Sequence, residues 1–361
     1  MLAAAMLSLV SALVGVRLAP VGFRAAISPA MVMDAPSLGT STQLHAGGQK
    51  GVAPEVIVAG GGIGGLCTAL VLKNMGYTVR IFEKTSQYRP FGGPIQIASN
   101  AAESIRRIDE RVYEKILSRS TVIGNRKNGL KDGQSDEWFA TFDLDSPARK
   151  RGQVSSVVID RPILQDILLE EVGDCITKGS EVVGCEQVGE KVRVTLSTGA
   201  TVEGDLLVGS DGIKSRVRDV FDPTRREPVW SGYTCVAGMA YCVPDDIADV
   251  GYKVWVGSRK YFVSVDVGGG RIQWYAFMNS EPPLLPMVTP LPASTALLAA
   301  PAASATGRQS VSCTHDLWVA RATVPPGAFT IDKADTLEWL KSEQFGDWAE
   351  PVRGAWAGQG R

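Results

Sequence analysis

The chain is 361 residues long, 45% hydrophobic and 21% charged, the proportions of a globular protein with room for about two domains. A formal net charge of −1 leaves no electrostatic case for a nucleic-acid partner. Six cysteines without CxxC spacing and only two histidines, His45 and His315, argue against a zinc site and against a histidine-based triad, so no metal ligand and no catalytic side chain is expected and the hard chemistry of an enzyme falls to a cofactor.

Residues 1–16 are apolar and uncharged, too short for a comfortable bilayer span and shaped like a signal-peptide core. Arg17, Arg24 and a Ser/Thr/Ala-rich stretch follow, with Asp34 the one acid before Glu55, which is the composition of a transit peptide. Together they read as the two-part leader of proteins sent to plastids with extra bounding membranes. Residues 1–53 are thus expected to be a disordered targeting leader, with the fold beginning near Pro54.

Residues 56–83 carry the densest signal. A β-branched run (Val56, Ile57, Val58) ends in Gly60-Gly61-Gly62-Ile63-Gly64-Gly65. An apolar helical stretch through Leu66, Leu70, Val71 and Met75 breaks at Gly76, and a second strand, Thr78 to Phe82, delivers Glu83. In such a dinucleotide-binding unit Gly60 permits the tight turn, Gly62 lets the backbone approach a pyrophosphate, and Gly65 lets helix and strand pack closely. The phosphates lie at the helix N-terminus, where unpaired amides and the positive end of the dipole favour anions. Glu83 stands where an acid accepts from a ribose.

A loop through Gln87 to Asn100 leads into one expected helix from Ala101 to about Ser118, capped by Ser99 or Asn100. Residues 120–160 read as short strands with turns at Asn128-Gly129 and Asp132-Gly133. Pro162 opens a helix through Leu164, Ile167 and Leu168. Alternation over Lys191–Leu196, a turn at Thr198-Gly199 and a further run at Leu206-Leu207-Val208 read as a β-meander. From Ser231 to Asn279 the pattern is all β, with strands at Tyr252–Val256, Tyr261–Val267 and Arg271–Met278 and a Gly268-Gly269-Gly270 connection. Its many rings suit the wall of a large apolar ligand and equally an ordinary sheet core. Residues 282–330, rich in Pro, Ala, Ser and Thr, read as a low-complexity insertion or linker. A capped helix is expected over Asp335–Gly346.

A second glycine motif, Asp205-Leu206-Leu207-Val208-Gly209-Ser210-Asp211-Gly212-Ile213-Lys214-Ser215-Arg216-Val217-Arg218, reads as a buried strand running into Asp211-Gly212 and a basic helix start. The order of glycine fingerprint, Glu83 and Asp211-Gly212 resembles the FAD-dependent aromatic hydroxylases and related monooxygenases. Within that group the stretches 92–101, 204–218, 231–235, 243–252 and 261–277 are similar to the zeaxanthin epoxidase family of plastid carotenoid enzymes, as is Phe345 to Val352. The resemblance implies an α/β fold, a Rossmann-like FAD-binding domain of aromatic hydroxylase type with a β-sheet substrate domain. It divides the chain into an FAD-binding domain at 54–230, a substrate sheet at 231–281, and a helix with the remainder of the FAD-binding domain at 331–361.

The resemblance further implies FAD contacts from Gly60, Gly61, Gly62, Gly64, Gly65, Glu83, Lys84, Arg161, Asp211 and Gly212, with Gln96 and Ile97 bordering the flavin ring. The implied reaction is epoxidation of a carotenoid ring double bond (zeaxanthin to antheraxanthin and violaxanthin) through a flavin hydroperoxide formed with O₂. NADPH or reduced ferredoxin is the implied electron donor, and the implied location is the chloroplast, peripheral to the thylakoid membrane. The family's third FAD motif, a Gly-Asp dipeptide, and its C-terminal helices are not read before Arg361, so a C-terminally truncated chain is expected. Two alternatives remain: a flavin hydroxylase of a small aromatic, and a non-catalytic truncated FAD-binding fragment. A nicotinamide dehydrogenase would leave the Asp-Gly segment and the aromatic sheet unexplained.

Overall fold

The computed structural model describes residues 53–88, 93–222, 230–279, 314–318 and 344–348. The chain clusters into two compact units, Met1–Val52 and Ala53–Arg361, and every described residue lies in the second. The expected leader therefore lies outside the described residues, as does the expected helix before Gln344.

In chain order, β1 (Glu55–Ala59), α1 (Ile63–Asn74) and β2 (Thr78–Glu83) form the βαβ unit. Next come β3 (Ile95–Ile97), α2 (Ser99–Ile108), α3 (Glu110–Ser118) and β4 (Thr121–Val122). The hairpin β5 (Lys127–Asp132) and β6 (Trp138–Thr141) precedes a short α4 (Ser146–Arg149), β7 (Val157–Ile159) and α5 (Arg161–Val172). Five elements follow: β8 (Ile176–Lys178), β9 (Val182–Val188), β10 (Lys191–Leu196), β11 (Thr201–Gly204) and β12 (Leu206–Gly209), leading to α6 (Arg216–Phe221). The last strands are β13 (Tyr233–Tyr241), β14 (Val250–Gly257), β15 (Lys260–Gly268), β16 (Arg271–Asn279) and β17 (Thr314–Trp318).

A parallel sheet of order β12-β1-β2-β8 forms the centre of the nucleotide-binding half. Both faces of β1 are buried, as a central parallel strand requires. On one side Val58, Leu66, Leu70, Ile81, Leu164 and Leu168 join α1 and α5 to the sheet. On the other Ile57, Phe82, Val182, Val194 and Leu196 pack under the antiparallel β9–β11 layer. The seven-stranded sheet runs β17-β13-β16-β15-β14-β5-β6, and one of its faces buries Trp255, Phe262 and Trp274 against Phe345 and Trp348.

Several local expectations give way to tertiary packing. The single helix over 101–118 is two, broken at Asp109, whose extended backbone (φ −159°) lets its carboxylate accept from the Arg111 and Val112 amides and cap α3. Asn128-Gly129 is not a turn but the interior of β5: Asn128 is fully buried, donating to the Ile123 and Arg126 carbonyls, and a Cβ at Gly129 would overlap the Ala140 carbonyl of β6. Asp132-Gly133 does turn, with Asp132 Oδ1 accepting from the Gln134 and Ser135 amides. Leu206–Val208 leaves the meander to pair with β1, because the Asp205 carboxylate and amide bond the amide and carbonyl of Glu55. That strand is an edge, not buried, and Leu206 is half exposed. β5 and β6 fall within 54–230 by sequence yet join the same sheet as β13–β16. Within 282–330 only 314–318 are described, and they pair with β13 rather than forming irregular chain.

Candidate functional site

The glycine loop is held from three sides. Gly60, at φ +98°, donates its amide to the Phe82 carbonyl at 2.8 Å, and its α-carbon passes so close to Ser210 and Asp211 that any Cβ would overlap the Ser210 carbonyl. A Cβ at Gly65 would overlap the Gly60 carbonyl oxygen, so only glycine lets α1 close onto β1. Gly62 and Gly64 differ, having open space beside them. Gly62 caps α1 with no side-chain bond, and the first turn holds no acid. The Ile63, Gly64 and Gly65 amides thus lack intrahelical acceptors at the positive end of a twelve-residue helix, which suits an anion.

Glu83 ends β2 and is 7% exposed. Its Oε2 accepts from the Gly61 amide at 2.7 Å and its Oε1 from the Thr85 amide at 2.8 Å, leaving lone pairs on both oxygens for a further donor. The Tyr88 hydroxyl donates to the Gly61 carbonyl at 2.7 Å. Burial, then the Glu83 charge, push this phenol up to about 12, against the opposing pull of Gln165. The Gln165 amide, one turn into α5, also reaches the Gly61 carbonyl at 3.5 Å. Tyr88 and Gln165 carry no motif that sequence reading recognises, although Gln165 sits four residues after Arg161.

Asp211 has two tasks available. Its Oδ2 accepts from the Arg216 amide at 2.7 Å and the Val217 amide at 3.2 Å, capping α6. Its Oδ1 is buried and has no partner among the described residues, an acceptor poised for a ligand. Gly212 takes φ +85° with open space beside it. Arg161 is exposed as the first residue of α5, and Asp160 beside it is gripped by Arg271. The glycines, Glu83 and Asp211 are therefore brought together, and Arg161 is linked to them through α5. Lys84, next to Glu83 in the chain, is exposed. Ile97 is buried in the core with Val157 and Leu164, while Gln96 is exposed.

The face of the large sheet opposite Phe345 and Trp348 carries Tyr233 and Cys235 on β13, Tyr261 on β15, and Gln273, Tyr275 and Phe277 on β16. Four of these are rings, and all four are only partly buried. Tyr261 and Phe277 stack at 4.2 Å, flanked by Tyr233 and Tyr275 at 6.0 and 6.1 Å.

Residues 53–231 match the model of the family described as FAD binding domain. The chain is 50% identical over 234 residues to a chloroplastic zeaxanthin epoxidase of Spinacia oleracea, covering 63% of this chain and 34% of that protein. It is 47% identical over 259 residues to the enzyme of that name from Nicotiana plumbaginifolia, covering 69% and 38%. The chain thus spans about a third of the length of these relatives. Among solved structures, HpxO of Klebsiella pneumoniae with FAD and uric acid matches with a TM-score of 0.62 and 21% identity over 85% of this chain and 65% of that one. A salicylate hydroxylase substrate complex matches at 0.55 and 19%, over 66% and 59%; these two likenesses show the fold. The cradle with an uncapped helix N-terminus, open glycines and an orphaned Asp211 oxygen fits FAD. Residues 53–231 are an FAD binding domain of that family, and the chain is a relative of the zeaxanthin epoxidases.

Proposed function

We propose that the protein epoxidises the ring double bond of a carotenoid, converting zeaxanthin to antheraxanthin and violaxanthin with FAD and O₂. The observation that carries this reading is one chain joining a dinucleotide cradle to a ring-lined, partly exposed sheet face, half identical across 234 residues to a chloroplastic zeaxanthin epoxidase. When bound and reduced, FAD supplies the chemistry that activates O₂. The chain's own residues bind and orient. The Ile63–Gly65 amides with Gly61, Gly62 and Gly64 receive the pyrophosphate, and Glu83 accepts from the adenosine ribose. Asp211 Oδ1 and Gly212 face the flavin's sugar-like chain, Arg161 offsets phosphate charge, and Lys84 adds positive charge at the rim. The ring-lined face packs on an apolar substrate and keeps water from the reacting centre. No side chain is required to move a proton in the oxygen transfer.

In this reading NADPH or reduced ferredoxin supplies electrons. The protein works in the plastid, reached through the leader at 1–53, against the thylakoid membrane in which its substrate dissolves. Among the described residues no helix is long and apolar enough to cross a membrane. The test is a visible spectrum of the purified chain with added FAD, followed by oxygen-dependent turnover of zeaxanthin. Flavin bands and an epoxide product are expected. A chain that takes up no FAD overturns the proposal, and one that oxygenates a phenol but no carotenoid reassigns it to a small-aromatic hydroxylase.

A further inference from the structure

Tyr275 and Phe277 alternate with the buried Trp274 and Ala276 along β16, so strand geometry alone sends their rings to the opposite face. On that face the apolar rings cluster toward one end: Phe277 lies opposite Cys235 on one neighbouring strand and Tyr261 on the other. The polar atoms cluster toward the other end. Gln273 is 2% exposed and lies opposite Met239 and Val265, two residues along from Tyr275. At this polar end the FAD-binding half arrives: a Cβ on Gly93 would overlap Gln273 Nε2 and come within 3.8 Å of the Tyr275 hydroxyl oxygen. Arg271, two residues further back, grips Asp160 beside Arg161. The junction of the two halves is thus marked by one phenol and one carboxamide at the edge of an otherwise ring-lined surface.

Such an arrangement recognises a molecule that is apolar with a single polar group. The partly buried Tyr275 hydroxyl is hydrogen-bonded by the Gln273 side chain, which as the donor leaves the phenol's own O–H proton for a ligand. A site built to bond a substrate hydroxyl rejects the analogue lacking it, because its own polar groups are then left unpaired. In an epoxidisable carotenoid end ring, a ring hydroxyl lies only a few bonds from the ring double bond. An anchor for that hydroxyl must therefore sit where the sheet meets the cofactor half, which is where Gly93 meets Tyr275.

Resting on the epoxidase reading, we propose that Tyr275, set by Gln273, is the specificity-determining residue that selects a hydroxylated end ring over an unhydroxylated one. Tyr261 and Phe277 stack on the ring, and Tyr275 bonds its hydroxyl.

The test compares zeaxanthin with β-carotene, which has the same ring without the hydroxyl, in the full FAD-loaded chain and in Tyr275→Phe. The unmodified protein is expected to favour zeaxanthin in kcat/KM. Tyr275→Phe is expected to cut that preference roughly five-fold, the scale of one neutral hydrogen bond, through KM for zeaxanthin and with an unchanged flavin spectrum. Gln273→Met, which keeps the volume, is expected to shift the ratio the same way by less. An unchanged substrate ratio in a flavin-loaded Tyr275→Phe overturns this inference while leaving the epoxidase reading in place. Unmodified protein that binds FAD but epoxidises neither carotenoid overturns both.

Discussion

Arg271 and Asp160, 111 positions apart in the chain, meet as a two-pronged ion pair: Nη1 to Oδ1 at 3.2 Å and Nη2 to Oδ2 at 2.9 Å. Asp160 precedes α5, so the pair ties the first residue of the last long sheet strand to the start of the helix that carries Arg161 and Gln165. Arg271 also bonds the Gly268 carbonyl at 3.2 Å, fixing the Gly268–Gly270 turn in which all three residues have positive φ. Asp160 thus has its charge answered by the sheet rather than by the neighbouring exposed Arg161.

Breaking this pair with Arg271→Ala leaves Asp160 partly buried without its cation. We expect a loss of about 1–3 kcal/mol, discounted from a fully buried pair because both side chains keep some exposure. Urea unfolding of Arg271→Ala, Asp160→Asn and the double variant checks this. The double variant should lose less than the sum of the singles, and strict additivity would show that the pair contributes nothing.

Glu83→Ala has a double consequence. The carboxylate accepts from two backbone amides, Gly61 and Thr85, in a site 7% exposed, so its removal orphans loop donors as well as any ribose hydroxyl. We expect a stability loss of about 1–3 kcal/mol together with weaker FAD binding. Unfolding midpoint and flavin titration should both fall, whereas a purely cofactor-binding acid would alter only the titration.

Much of this site is legible in the sequence because glycine is demanded by geometry rather than chosen by environment. Gly60 needs a positive φ, and Gly65 cannot carry a Cβ beneath the Gly60 carbonyl. What is not legible depends on partners distant in sequence. Asn128-Gly129 has the local signature of a turn, but β6 on one side and β14 on the other hold it extended. Leu206–Val208 follows a hairpin and looks like its continuation, yet its register is set by Glu55, 150 positions before Asp205. The Asp109 helix break was open to sequence reading, since an aspartate before Glu-Arg-Val is a cap candidate; the apolar spacing across it masked the signal.

Neighbouring glycines should respond oppositely to one added methyl group. Gly65→Ala puts a Cβ into the Gly60 carbonyl oxygen and is expected to destabilise the fold by roughly 3 kcal/mol or more, in the class of core overpacking. Gly64→Ala meets nothing within 4 Å and should leave the unfolding midpoint within about 0.5 kcal/mol, while a methyl beside the cradle weakens FAD binding. Thermal melts and flavin titration of the two variants separate packing from ligand approach. A Gly64→Ala protein with undiminished FAD affinity would show that the open space is not where the phosphates lie.

The ring-lined face sets an alkaline limit to stability. Burial pushes the Cys235 thiol up to about 12, and burial reinforced by Cys235 pushes the Tyr275 phenol to about 12, with Gln273 opposing. Tyr261 is raised as well, by burial and then by Cys235 and Tyr233. Each group binds its proton more tightly in the folded chain than in the unfolded one. The associated stability is therefore fully present below the unfolded value, 9.0 for the thiol and 10.0 for the phenols, and is lost as pH rises toward 12. Melting temperature should be flat with respect to these groups up to about pH 8.5 and fall steeply from pH 9 to 12, on the order of a few kcal/mol across the window. Burial also raises the Cys67 and Cys185 thiols from 9.0, so Cys235→Ala should make the fall that begins near pH 9 shallower without moving its onset. A fall of undiminished steepness in that variant would assign the loss to groups elsewhere in the fold.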